Sequence, residues 1–388
     1  MKKVLIAFIA LGLVSLFADM TYEGARSVIG AYFEMLGASA LIAGAVGVGE
    51  FLGYVMRGVS GVIAGILKSS KVYWGLVYLG YIINLFVVPL LAFTGNWESA
   101  LLLVILERVG KGLRTPVRDV ILAEVTESIG RGKGFGIHEV MDQIGAIAGP
   151  ALVMYAIGKE SIRYAFLILA IPAMASISML ILASTTYPKL KSLERRGEGK
   201  KIKRRRILSK ALLFYIIAMA MLSLGFIHWS LFIYHVSYVG LMPVALIPTL
   251  YIISMATDAI VAFPVGYIYD KIGPKSILIT PLLALITVPL LLHNKVGALI
   301  TASIIWGIVM GIYETSMRVV VADLSTPETR AYAYGIYGLV YGFSWGIGNT
   351  IMGALYIYSK PYLIAYVVIM EMLALVMIIK TLRMISKS

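Results

Sequence analysis

Twelve separate stretches of this chain are long and apolar enough to cross a bilayer, and that feature limits the possible folds more than any other. A membrane-crossing helix needs about 20 mostly apolar residues. Such stretches run over 4–34, 39–67, 72–94, 98–123, 134–157 and 162–186, and then over 209–236, 241–269, 275–293, 296–322, 330–357 and 361–382. Across the 388 residues, 60% are apolar and 14% are charged, whereas a soluble domain carries about 25% charged residues. A soluble chain of this size cannot bury that much apolar surface. A soluble enzyme, a nucleic-acid-binding domain and a disordered chain are therefore excluded. The backbone must satisfy its own polar groups in lipid, and the short alternating strands of a β-barrel are missing, so helices are expected. The expected fold is an all-α polytopic membrane protein.

Charge gives the organisation and the orientation. The formal net charge is +14. In a membrane protein such an excess marks Lys and Arg gathered in cytoplasmic loops. Residues 187–208 form the single long polar stretch, with ten basic and two acidic residues. They divide the chain into an N-terminal six-helix bundle at 1–186, a basic cytoplasmic linker at 187–208 and a C-terminal six-helix bundle at 209–388. Both termini are then expected in the cytoplasm, because the outer loops hold only Lys159, Arg163, Lys295 and Lys360. Met-Lys-Lys followed by an apolar run imitates a signal peptide, yet no small-residue cleavage site follows, so a retained first helix is expected. There are no cysteines, hence no disulfide and no thiolate metal site. One Gln and four Asn hint at a thermophilic prokaryotic source.

The two halves repeat. Arg-Gly-Lys-Gly-Phe-Gly-Ile begins at 131 and Arg-Ala-Tyr-Ala-Tyr-Gly-Ile at 330, an offset of 199 residues. Upstream, Arg-Asp-Val-Ile-Leu-Ala-Glu (118–124) echoes Arg-Val-Val-Val-Ala-Asp (318–323). Two repeated halves suit a transporter whose halves rock about a central site.

Four local patterns carry a family resemblance. Gly266-Tyr-Ile-Tyr-Asp270-Lys271-Ile-Gly273-Pro-Lys275 joins the eighth and ninth segments, and Gly61-Val-Ile-Ala-Gly65-Ile-Leu-Lys68 is a degraded counterpart with Gly65 in place of the Asp. The fourth segment holds Arg108-Val-Gly-Lys111-Gly112, and the fifth holds Gly145-Ala-Ile-Ala-Gly149-Pro150. Together with the six-plus-six layout, these resemble the major facilitator superfamily. Gly-Lys-Gly-Leu-Arg-Thr-Pro-Val-Arg-Asp (110–119) is similar to one prokaryotic branch of permeases within it. The resemblance implies twelve helices in two pseudo-symmetric bundles, with helices 1, 4, 7 and 10 lining a central cavity. It implies a cytoplasmic gate in which Asp270 faces the start of helix 5, with Arg131 as an extra partner; Arg118 with Asp119, toward the cytoplasmic half of the fourth segment, are expected as gate or interface residues. Gly266 would let two backbones approach and Gly273 would turn the chain, with Lys271 and Lys275 completing the loop. The helix-5 pattern resembles that of antiporters, although Val153 and Met154 stand where its trailing glycines belong.

Charges inside a membrane helix are costly and mark function by default. Asp19, Glu23 and Arg26 share one face of the first helix, by their spacings of four and three. Glu50 and Arg57 lie in the second helix. Glu107, Arg108, Lys111, Arg114 and Arg118 lie in the fourth. Glu139 and Asp142 lie in the fifth, with His138 one turn before Asp142. The second half is sparser, with His228, His235, Asp258, Glu314, Arg318 and Glu371. Proton coupling is expected at Asp19, Glu23 or Glu50, with Arg108 as the switching partner. The alternative is a static ion-pair network, since such networks also perturb titration. Tyr337, Tyr341 and Trp345 form an aromatic stripe that either lines a cavity for an apolar solute or simply packs.

The expected function is secondary active transport by alternating access, with a proton-coupled export of small amphipathic or aromatic compounds as the leading reading. The alternative is a polar or ionic metabolite, or a metal cation, bound directly by Asp19, Glu23 and Glu50. An excess of Arg and Lys within the membrane would instead suit an organic anion. No nucleophile–base set and no phosphate-binding Gly-Lys-Ser/Thr loop occurs, so neither an enzyme nor an ATP-driven pump is expected. No cofactor or metal is expected, the proton is the expected coupling ion, nucleic acid is not a partner, and a monomer in the cell membrane is expected.

Overall fold

The structure is a computed structural model that describes residues 2–127, 130–190, 209–326 and 329–385. Among the described residues the chain is helical throughout, without strands. Nine helical runs there are long and apolar enough to cross a membrane. One of them, Val244–Leu291, is 48 residues long and holds both the eighth and ninth expected segments. Gly273 turns the chain between them, with φ +60° and ψ −146°, a conformation that only glycine adopts easily. Two further helices, Trp97–Val125 and Arg330–Tyr358, supply the fourth and eleventh spans at 29 residues each. Trp97–Val125 falls short on apolar character because Glu107, Arg108, Lys111, Arg114 and Arg118 interrupt it. Three of those side chains, Glu107, Arg108 and Arg114, are buried, so the charges sit inside protein instead of facing lipid. The chain is thus an all-α, twelve-span membrane protein. Its basic linker lies almost wholly outside the described residues.

Several expected helices are interrupted. The first is Lys2–Arg26 followed by Ile29–Met35. The tenth passes from Val296–Ile312 through a widened π-turn at Tyr313–Met317 into Arg318–Asp323. The seventh stops at Gly225 and resumes at Trp229. Phe226 is extended, with φ −86° and ψ 117°. The carbonyls freed by this break find donors elsewhere. Trp345 Nε1 and Asn349 Nδ2 donate to Phe226 O at 2.9 and 3.1 Å, and Trp306 Nε1 donates to Ile227 O at 3.0 Å. His228 N donates to Asn349 Oδ1 at 2.6 Å. Non-helical backbone at membrane depth persists only when protein satisfies it in this way.

The chain forms two compact units, one from Met1–Val28 with Leu52–Lys201 and the other from Ile29–Phe51 with Ile202–Ser388. Contact therefore groups residues 29–51 with the later helices, across the linear division at 186/209. In the first unit, span 1 packs on spans 5 and 6, and span 3 on span 4. Bare backbone makes the closest crossings. A Cβ on Gly145 would lie 2.3 Å from Leu16 O, and one on Gly149 would lie 2.2 Å from Met20 O. Pro150 sits within the same helix. The helix-5 Gly-Pro pattern thus builds the seam with span 1. In the second unit, Tyr234 Oη donates to Ala38 O at 3.0 Å and Ser230 Oγ to Ala43 O at 2.5 Å, so residues 29–51 are fastened to span 7.

Candidate functional site

The densest chemistry lies inside the first unit. Asp19, Tyr22 and Glu23 project from span 1, and all three are buried. Tyr22 donates its hydroxyl to Asp19 Oδ1. Arg26 Nη1 reaches Glu23 Oε1 at 3.2 Å, and Lys111 Nζ of span 4 approaches the same oxygen at 3.8 Å. Lys111 also stands 4.1 Å above the Tyr22 ring. These two cations keep some exposure, 25% for the Lys111 side chain and 15% for Arg26, against 8% for Glu23. Asp142, Lys111 and Glu23 all act electrostatically on Asp19.

A second chain of contacts crosses spans 5, 1 and 4. Asp142 Oδ1 lies 3.1 Å from His138 Nδ1, and His138 Nε2 lies 3.1 Å from Ser15 Oγ. Arg118 donates to Ser15 Oγ at 3.2 Å and to Asp119 Oδ1 at 2.7 Å. Helical spacing of four puts His138 and Asp142 on one face. Beside this chain, Arg114 donates to Tyr81 Oη at 3.0 Å and stacks on that ring at 4.2 Å. Glu107 accepts from Asn84 Nδ2 at 2.6 Å and from Arg108 at 3.0 Å. A buried network of this kind is rigid while satisfied and costly to break.

Arg26 or Arg108 is the cation expected to hold a span-1 carboxylate charged. Arg26 pairs with Glu23 at 3.2 Å, Arg108 pairs with its chain neighbour Glu107 at 3.0 Å, and Lys111, which carried no such expectation, also reaches Glu23 at 3.8 Å. One helical turn separates Arg108 from Lys111, and sequence alone does not fix which of them points inward. Ser15, Tyr22, Lys111, Arg114 and His138 complete the cluster. Tyr22 and His138 pair within their own helices, with Asp19 and Asp142, and the histidine–carboxylate spacing of span 5 was legible; Ser15, Lys111 and Arg114 find partners on other spans.

The second unit holds the remaining candidates in separate places. Glu50 Oε1 lies 3.9 Å from His228 Nε2, at the break in span 7. Asp258 is buried and abuts Gly311, where an added Cβ would meet its Oδ1 at 3.0 Å. Glu314 lies in the π-turn of span 10, a feature that often marks functional positions. Tyr337, Tyr341 and Trp345 are all buried in a stack. Tyr341 lies 4.2 Å from Tyr313 and 5.7 Å from Trp345, and Trp345 lies 6.3 Å from Phe226. Trp345 is also committed to capping the span-7 break.

The loop at 266–275 corrects one expectation. Gly266 has nothing within 4 Å of where a Cβ would stand, so it brings no two backbones together in this structure. Asp270, Lys271 and Lys275 are exposed, and Lys271 stands 4.4 Å over the Tyr267 ring. The side chain of Arg131 lies outside the described residues. The firm tie of this loop comes from a residue between the motif positions. Tyr269 Oη donates to Asp323 Oδ2 at 2.7 Å. In the first unit Tyr187 Oη donates to Glu124 Oε1 at 2.5 Å. Glu124 and Asp323 end the two repeated stretches and stand 199 positions apart. Each half therefore fastens the end of its fourth helix by a tyrosine. Among the described residues, no group of three or more His, Asp or Glu side chains is placed to hold a metal ion.

Twelve spans with a buried charged cluster define a polytopic membrane transport protein. The chain belongs to the Major Facilitator Superfamily, whose family model matches residues 8–256 and 239–386. It is 35% identical over 372 residues to an uncharacterised protein of Mycobacterium bovis, covering 94% of this chain and 90% of that one. It is 28% identical over 367 residues to an uncharacterised MFS-type transporter of Methanocaldococcus jannaschii, covering 92% and 90%. A crystal structure of the nucleoside transporter NupG superposes with TM-score 0.72 at 15% identity, covering 98% of this chain and 99% of that one. A POT family transporter in complex with 5-aminolevulinic acid superposes with TM-score 0.75 at 15% identity, covering 97% and 95%. Those two likenesses establish the shared fold.

Proposed function

We propose that this protein is a proton-coupled secondary transporter of a small polar solute bearing an anionic group. One observation carries the reading: Arg26 and Lys111 converge on a single carboxylate oxygen of Glu23, and both cations keep some exposure. A carboxylate or phosphate on the solute would compete with Glu23 for these two cations. Charge-assisted hydrogen bonds of this kind are about twice as strong as neutral ones. The aromatic stripe supports an amphipathic solute less well, because Tyr337, Tyr341 and Trp345 are buried against other rings.

Asp19 is the proposed proton carrier. It shares a low-dielectric site with Glu23 and Asp142, and three carboxylates so placed repel one another unless one holds a proton. Tyr22 and Lys111 tie Asp19 to the solute site, so arrival of an anion alters the field at Asp19. The chain from Asp142 through His138 and Ser15 to Arg118 is the proposed path for exchanging that proton. Alternating access by the two repeated halves would expose the site to each side in turn.

The test is solid-supported-membrane electrophysiology on proteoliposomes. The panel comprises small carboxylates, phosphate esters, nucleosides, peptides and cationic aromatic dyes. An anionic member should evoke a transient current that Lys111→Met removes. Currents evoked by the dyes alone would restore the amphipathic reading.

A further inference from the structure

Glu371 stands apart from the charged cluster of the first unit. It lies midway along span 12, Lys360–Ile385, and is 0% exposed. Neither carboxyl oxygen has a hydrogen-bond partner among the described residues. Its position is defined by the break in span 7. A Cβ on Gly225 would lie 2.7 Å from Glu371 Oε1 and 3.1 Å from Met370 Cβ. Gly225 is the last residue before the chain leaves the helix, so absence of a side chain there makes the room the carboxyl occupies. The carboxyl therefore sits against the C-terminal end of a helix, the negative pole of its dipole. The last carbonyls of a helix lack intrahelical donors. An O–H suits that place, and a bare carboxylate does not.

Among the described residues, the elements packed on span 12 place no counter-charge against Glu371. Of the elements packed on span 12, the first part of span 7 carries Lys210 and Tyr215, and the turn at 273–278 carries Lys275. The helix Ile279–Leu291 carries no titratable group. Span 11 carries Arg330 at its start, together with tyrosines. None of these is hydrogen-bonded to Glu371. Along span 12 itself, Lys360 and Lys380 are eleven and nine residues away, about 16 and 14 Å along a helix axis. Tyr366 lies within electrostatic reach of Glu371. Its hydroxyl likewise has no partner among the described residues.

We propose that Glu371 is a proton-binding site that locks span 12 against the break in span 7. With the proton on, the neutral carboxyl packs in the space left by Gly225. With the proton off, the carboxylate is driven from the helix end and the seam loosens. Because span 7 carries His228 and is capped by Trp306, Trp345 and Asn349, this seam sets how freely its two parts hinge. The ligand is a proton and not a metal ion, because a hard cation needs several oxygens converging and one carboxyl is present. The inference does not depend on which solute is carried, nor on Asp19.

The test uses the full chain in nanodiscs and two readouts. Infrared spectra at neutral pH should contain a protonated-carboxyl band, shifted by D2O, that Glu371→Gln removes. Hydrogen exchange of the peptide spanning 221–229, corrected for intrinsic rates, should lose protection about tenfold from mildly acid to mildly alkaline pH, one unit's worth of proton linkage. The same peptide in Glu371→Gln should be insensitive to pH, since an amide mimics the protonated acid. If the Gln variant does not fold, Glu371→Met serves as the second neutral replacement. The proposal is overturned if the wild type holds a carboxylate at neutral pH, if protection is independent of pH, or if sodium at fixed pH shifts it.

Discussion

The seam between spans 1 and 5 is where packing and the charged cluster meet, and Gly145→Ala probes both. The new Cβ would lie 2.3 Å from Leu16 O and 2.9 Å from Asp19 Cβ. Ordinary contact begins near 3.4 Å, so the two helices must part by roughly 1 Å, the difference between those distances. The obstacle is helix backbone, which cannot swing aside as a side-chain tip can. Overpacking of this kind costs about 1–3 kcal/mol. The displaced element carries Asp19, so its geometry to Asp142 of span 5 and Lys111 of span 4 changes with it. Gly136→Ala is the control: it lies in the same helix and has nothing within 4 Å. There the helix-propensity gain of up to about 1 kcal/mol acts alone. Thermal unfolding in detergent, followed by tryptophan fluorescence, should show Gly145→Ala destabilised and Gly136→Ala unchanged or raised. Transport by Gly145→Ala should fall beyond what the loss of folded protein explains. Equal melting temperatures for the two variants would refute the close-packed seam.

Other residues give separate outcomes. Asp19→Asn should abolish uptake driven by a pH gradient and retain exchange of labelled for unlabelled solute at equal pH; loss of both would demote Asp19 to a structural role. Glu107→Gln removes the charge that pairs with buried Arg108 and should cost about 3–5 kcal/mol in thermal stability, as for other broken buried pairs. Trp345→Phe keeps the ring stack and deletes one of the two donors to Phe226 O; with Asn349 still donating, the loss should cost about 0.5–1.5 kcal/mol and raise hydrogen exchange at the span-7 break. Reporter fusions should place both termini in the cytoplasm, as the basic linker requires.

Much of the architecture was legible because the bilayer imposes a length on every apolar run. Ten of the twelve spans stand out on apolarity alone, and the fourth is recognisable despite its charges because they fall at helical spacing on a buried face. The break in span 7 was not legible. Gly225-Phe226-Ile227-His228 is an apolar run without proline, and what stabilises the break are donors from Trp306, Trp345 and Asn349, distant in the chain. The approach of Lys111 to Glu23 has the same origin: rotation of span 4 is set by Gly80, Gly110 and Gly112, where backbones cross too closely for any Cβ. The 266–275 loop was visible as a motif, yet its tie to Asp323 runs through Tyr269, which the motif leaves unspecified. Glu371 was visible as a charge in an apolar helix, but nothing local announces that Gly225 faces it.

The central claim is that a proton gradient drives an anionic solute through the site built on Glu23, Arg26 and Lys111. Its most direct measurement is uptake of radiolabelled small carboxylates and phosphate esters into proteoliposomes under an imposed pH gradient, with and without a protonophore. The account predicts accumulation above the equilibrium level for at least one such solute, collapse of that accumulation by protonophore, and no accumulation with Asp19→Asn. Accumulation that survives the protonophore, or a folded wild-type protein that moves none of these anions, would contradict it.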